Sequence, residues 1–127
     1  MTLHEHGRFA ATTLAAIAMV IGFVAAARAA DAPAEAKSIF ESRCAPCHGA
    51  GGKGDGAGGA ALDPKPRNFT DVAWQKAVTD EQIEQVIKLG GAAIGKSPMM
   101  PGNPDLMAKP EVVHALRAQV RDLGKAH

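Results

Sequence analysis

The sequence has no tyrosine, one tryptophan and four phenylalanines, so aromatics make up only 4% of its 127 residues. Glycine and proline are plentiful instead, with fourteen and eight residues. A chain of that composition is short of the large side chains that usually fill a core. Cysteine is scarce as well: there are two residues, both in one short run. A disulfide closing so short a loop would do little for the fold. Past residue 48 there is no further Cys and only His114 and His127, too few for a structural zinc site of four N/S ligands. No convincing strand pattern is present, which removes the βαβ setting of a thioredoxin-like redox pair. Charge of one sign is lacking too. The formal net charge is +1, and no basic excess argues for nucleic acid as a partner. There are no internal repeats.

What is present centres on Cys44-Ala45-Pro46-Cys47-His48, followed by Gly49. C-x-x-C-H is the attachment signature of c-type haem, and the chemistry explains the spacing. Residues three apart on a helical turn share a face, so both thiols reach the two vinyl groups of one porphyrin edge as thioethers. His48 then offers an imidazole nitrogen to the iron as proximal ligand. Gly49 lets the chain turn away close to the ring. A buried porphyrin also supplies the apolar mass that the composition lacks.

Residues 1–29 read as a targeting segment. Thr2 to Arg8 is polar, Phe9 to Ala27 is an uncharged Ala-rich run, and Ala27-Arg28-Ala29 is an A-x-A-like cleavage site. The run is near the lower limit for spanning a bilayer, so an uncleaved anchor is the alternative. Cleavage is the expectation, with export to the periplasm and no membrane span afterwards. Removal takes Glu5, Arg8 and Arg28 and leaves a formally neutral domain over residues 30–127.

In that domain, Asp31-Ala32-Pro33 reads as a helix start, with Asp31 near the cap and Pro33 in the first turn. Ala36, Ile39, Phe40 and Cys44 then fall on one helical face. Gly49 to Gly59 lacks the phosphate-loop arrangement and reads as a loop that wraps a cofactor edge or lies on the surface. Ala60 to Phe69 reads as extended, and a carbonyl of Pro64 or Pro66 is the candidate acceptor for the second ring N–H of His48. Arg67 and Trp74 are candidate contacts for a haem propionate, against plain surface exposure for Arg67 and packing for Trp74. Thr70 or Asp71 caps a short helix. Thr79-Asp80-Glu81-Gln82 is a capping box that opens a helix with a stripe of Ile83, Val86 and Ile87, ended by Gly90-Gly91. Pro110 opens a last helix with Val112, Val113, Leu116, Val120 and Leu123 on its apolar face, closed at Gly124. His114 lies off that stripe.

Between these two helices runs Gly95-Lys96-Ser97-Pro98-Met99-Met100-Pro101-Gly102-Asn103. A thioether is a soft ligand suited to the remaining axial position of a haem iron, and Met99 and Met100 are the candidates, with Met107 a distant third.

In this order the motifs resemble the class I c-type cytochromes over the whole region after the leader. The resemblance implies a small all-α cytochrome c fold, with N- and C-terminal helices packed around one covalently bound haem. Phe40 matches the aromatic residue that the family places four positions before its first Cys. Met100 is preferred to Met99 because the family's axial Met is commonly followed by Pro. Asn103 matches an Asn that, in some small bacterial members, donates to the Met sulfur. The family's last helix often packs an aromatic residue on the first helix; Gln119 stands there, so a looser crossing is expected. The implied function is a periplasmic, monomeric one-electron carrier, not an enzyme, that meets redox protein donors and acceptors transiently. The alternatives are a cytochrome subunit of a larger oxidoreductase, or a ligand sensor or peroxidase whose Met leaves the iron.

Overall fold

The largest side chains fully withdrawn from solvent are Leu106, Val112, Val113 and Leu116. Three of them lie on the last helix, and the elements that cover them set the fold. The computed structural model describes residues 30–125. The leader expected at residues 1–29, and His127, lie outside the described residues.

Helix α1 covers residues 30–39. Residue 30 is already helical, so Asp31 is not the cap that the sequence suggested. Ala32, Ala36, Ile39 and Phe40 form its buried face at helical spacing. The chain continues through a π-helical turn, Phe40–Cys44, into the short α2, Ala45–His48. The wide turn has a local cause. Pro46 has no N–H for an ordinary helical bond, and its ring crowds the preceding turn. The Ala45 N–H instead reaches back to the Phe40 carbonyl. Such insertions favour functional sites.

After a glycine-rich loop and a segment that turns at residues 60–61 and bends at 63–64, and so is not extended throughout as the sequence suggested, come α3, Val72–Ala77, and α4, Asp80–Leu89. Asp71 caps α3 by accepting from the N–H groups of Ala73 and Trp74 at 2.9 and 3.1 Å. The capping box on α4 is complete. Thr79 Oγ1 accepts from the Gln82 N–H at 3.2 Å, and Gln82 Oε1 accepts from the Thr79 N–H at 3.0 Å. Gly90 ends α4 at φ +82°, a conformation that disfavours any side chain. A 3₁₀ turn at Pro104–Ala108 then leads into α5, Pro110–Leu123. The described residues contain no strand, as the sequence implied, and no helix among them is long and apolar enough to cross a membrane.

Ile83 and Ile87 of α4, Leu106 and the stripe of α5 join the buried face of α1 in one core with Phe69. Val86 and Leu123 are less enclosed than the pattern suggested. Beside Gln119 a groove of about 430 Å³ runs along α5, lined also by Pro33, Ala115, Ala118, Asp122 and Leu123.

Polar contacts lock the helix ends. Arg121 on α5 donates to Asp80 Oδ1 at 2.8 Å, to the Gln75 carbonyl at 2.7 Å and to the Val78 carbonyl at 2.8 Å. It thereby satisfies exposed carbonyls at the end of α3 and the acid at the start of α4. Arg117 pairs with Asp80 as well and approaches Glu84 at 3.0 Å. Hydrogen bonds from Arg121 and then Arg117 hold the Asp80 carboxyl below the usual carboxylate range. At the other end of α5, Lys109 meets Glu35 of α1 at 2.6 Å.

Two outcomes follow from this packing. Leu116→Ala leaves a cavity at a site 2% exposed and is expected to lower stability by about 2–5 kcal/mol in urea unfolding. A depressed carboxyl pKa contributes stability above the unfolded value of about 3.9 and loses it as pH falls through the lower folded value. Asp80→Asn should therefore lower the urea midpoint at pH 7, with the gap to wild type closing below about pH 4. A gap that stays constant to pH 3 would contradict the ion-pair account.

Candidate metal centre

Cys44 closes the π turn, and Cys47 and His48 complete α2, so all three belong to one continuous helical path. Both cysteines are free and half-buried. Burial pushes the Cys44 thiol up, against the pull of the neighbouring Arg43 charge.

The glycine-rich loop wraps the backbone of this turn. Gly49 turns the chain at φ +80°, and a Cβ there would fall 2.0 Å from Asp55 Oδ1. The Gly54 N–H donates to the His48 carbonyl at 2.7 Å, and the Gly56 N–H to the Cys47 carbonyl at 3.1 Å. The loop thus satisfies carbonyls that a short helix leaves without partners. A Cβ on Gly56 would lie 2.4 Å from the Pro46 carbonyl oxygen. What the sequence suggested as a wrap around a cofactor edge, or plain surface, is a close cover on the attachment turn.

His48 is only 8% exposed. Its Nδ1 donates to the Arg67 carbonyl at 3.0 Å, which leaves the lone pair on Nε2. Burial lowers its pKa, partly opposed by the bond to Arg67, so the neutral imidazole is favoured. The sequence pointed to Pro64 or Pro66 for this carbonyl, and the structure uses the next residue. The Pro66 carbonyl instead faces the loop, 2.5 Å from where a Cβ on Gly54 would stand.

Phe69 stacks on the His48 ring with centroids 4.5 Å apart and planes 15° apart. Trp74 packs against Phe69 at 5.7 Å, and the Arg67 guanidinium lies 5.8 Å over Trp74. Arg67 also approaches Asp71 at 3.5 Å. These two propionate candidates therefore sit together, on the same segment that carries the carbonyl for His48.

The methionine loop folds back on the end of α4. The Gly91 N–H donates to the Met100 carbonyl at 3.0 Å, and the Asn103 N–H to the Lys88 carbonyl at 3.0 Å. Asn103 Nδ2 donates to the Ile87 carbonyl at 2.8 Å, while its Oδ1 accepts from Arg43 at 3.1 Å. One amide hydrogen is thus spent on α4. Arg43 also meets Asp105 at 3.0 Å, so the residue before Cys44 is tied directly to the methionine loop. Met100 is half-buried, whereas Met99 and Met107 are each 61% exposed.

Among the described residues no group of three or more His, Cys, Asp or Glu side chains is placed to hold a metal ion. The donor set on the attachment turn is instead one buried imidazole with a free Nε2 and two free thiols. That set fits a haem iron carried by its own porphyrin, not a bare cation. Gln75, Arg43 and the Arg67 carbonyl escaped the sequence reading, and only a carbonyl near Pro66 had any local signal.

An all-helical chain built on such a turn defines a haem-attaching class. The cytochrome c family matches residues 33–123, and the chain belongs to that family. Comparison with curated proteins found no match. Membership brings covalently bound haem c with its iron, and haem-based electron transfer as the general activity.

The cover on the attachment turn is open to test by a pair of glycine variants. Gly56→Ala, with no room for its methyl, should cost about 1–3 kcal/mol and reduce haem attachment. Gly51→Ala, with open space around it, should stay within about 0.5 kcal/mol of wild type. Equal haem yields from the two would count against the cover.

Proposed function

We propose that the chain is a periplasmic one-electron carrier. Cys44 and Cys47 would hold one haem through thioethers, and His48 and Met100 would ligate its iron. The observation that carries this reading is the His48 imidazole: buried, neutral, with Nδ1 committed to Arg67 and Nε2 free, one residue after a free thiol. Bound haem supplies a one-electron Fe(III)/Fe(II) couple. The chain supplies the rest. The Arg67 carbonyl raises the basicity of His48 by accepting its N–H. Gly91 and Asn103 hold the loop that presents Met100. A thioether raises the reduction potential relative to a second imidazole, and burial adds to it by disfavouring the extra ferric charge.

With both iron ligands supplied by side chains, the chain would act as a carrier and not as an enzyme. Residues 1–29 act as a cleaved export signal. Trp74 and Arg67, close to each other above Phe69, would meet a propionate, and the second amide hydrogen of Asn103 would serve the Met100 sulfur. The carrier works as a monomer and meets donor and acceptor redox proteins over small, short-lived interfaces.

Visible spectroscopy of exported protein tests this assignment. Reduction with dithionite should give a sharp c-type α-band, and the oxidised form a weak far-red sulfur-to-iron band. The far-red band should vanish in Met100→Ala and persist in Met99→Ala, with the mass of the same preparation showing loss of residues 1–29. Haem without the far-red band in wild type would overturn the methionine ligand.

A further inference from the structure

Phe69 is held at more points than a core-filling ring requires. Its N–H donates to the Gly52 carbonyl at 2.6 Å, and its carbonyl accepts from Gln75 Nε2 at 2.8 Å. The same Nε2 donates to the Val120 carbonyl of α5 at 2.9 Å, and Gln75 Oε1 accepts from Arg121 at 2.9 Å. The Gln75 amide fits because position 124 is glycine, where a Cβ would lie 2.6 Å from Nε2. A Cβ on Gly52 would lie 3.1 Å from the Phe69 ring. The result of all this fastening is one flat contact, the ring against the His48 imidazole at 4.5 Å and 15°.

We propose that Phe69 is a positioning residue for the iron ligand: pressed flat on the His48 imidazole, it sets the rotation of that ring, and Gln75 and Arg121 hold Phe69 in place. The inference rests on the reading of His48 as the ligand. A hydrogen bond at Nδ1 restrains one point on the imidazole, and the stack restrains its plane. Together they fix the angle of the imidazole about its Cβ–Cγ bond. That angle decides which iron orbitals mix with the porphyrin, and so how unpaired spin spreads over the haem methyl groups in the ferric state. Through Gln75 and Arg121, the end of α5 thereby bears on the electronic structure of the iron.

The experiment uses haem-loaded ferric protein, read by paramagnetic proton NMR of the haem methyls, by midpoint potential and by thermal melting. Phe69→Leu keeps an apolar side chain but removes the flat face. It should reorder or compress the methyl shifts and move the potential while the far-red band persists. Phe69→Tyr keeps the face and should restore the wild-type pattern. Gln75→Leu should move the shifts in the same direction as Phe69→Leu, by less, and provides the reading if Phe69→Leu does not fold. Val113→Ala, buried on α5 without a place in this chain of contacts, should lower the melting temperature and leave the shifts alone. A lowered melting temperature with wild-type methyl shifts, in Phe69→Leu or in Gln75→Leu where that variant stands in, would overturn the proposal and leave Phe69 as packing. Absence of shifted His48 ring protons in wild type would instead overturn the ligand assignment, and the proposal with it.

Discussion

The hydrogen bond from His48 Nδ1 to the Arg67 carbonyl is the contact on which the rest of the site depends. An imidazole withdrawn from water is costly unless its polar atoms are satisfied. Nδ1 is satisfied by backbone, and this selects the tautomer whose other nitrogen carries a lone pair. The carbonyl reaches His48 only because the chain, after a turn at residues 60–61 and bends at 63–64, passes the attachment turn with the glycine loop packed beneath it. A disturbance of that loop, of the segment after it or of Phe69 therefore converges on one ring.

On the methionine side the same economy holds with different groups. The loop has little regular structure, so its position is set by backbone bonds to the end of α4 and by Asn103. Asn103 is read unambiguously by its neighbours, because a guanidinium faces one end of its amide and a carbonyl the other. Arg43 carries that restraint to the residue beside Cys44. The two halves of the site are thus linked across sixty positions of sequence by a single side chain. A carrier benefits from such linkage, since little rearrangement between oxidation states keeps electron transfer fast.

The composition makes sense in this light. With few aromatics, the chain assembles its own core from alanine, valine, leucine and isoleucine around α1, α4 and α5, with Phe40 and Phe69 as its aromatic members. The family's covalent haem adds the large apolar body that these side chains do not provide. Salt links at the ends of α3, α4 and α5 then do what a thicker core would do elsewhere. A groove of about 430 Å³ lies beside Gln119.

Much of this could be read from local pattern alone. C-x-x-C-H states its chemistry through spacing, the Thr79–Gln82 box through four adjacent residues, and the α5 stripe through its period, because each depends on neighbours in sequence. The all-helical fold and the haem followed from those signals. Four things did not. The π turn at Phe40–Cys44 needed the conflict between a helix and Pro46 to be resolved in three dimensions. The acceptor for His48 moved from Pro64 or Pro66 to Arg67, because the direction of a carbonyl in an irregular stretch depends on what packs behind it. Asn103 gained Ile87 and Arg43 as partners, and Gln75 came to bridge Phe69 and Val120, the latter 45 residues from Gln75 itself. The sequence by itself determined which groups are available to hold a haem. Only the tertiary structure decided how they are aimed, since aim is set by hydrogen bonds and ring contacts between residues that local pattern never brings together.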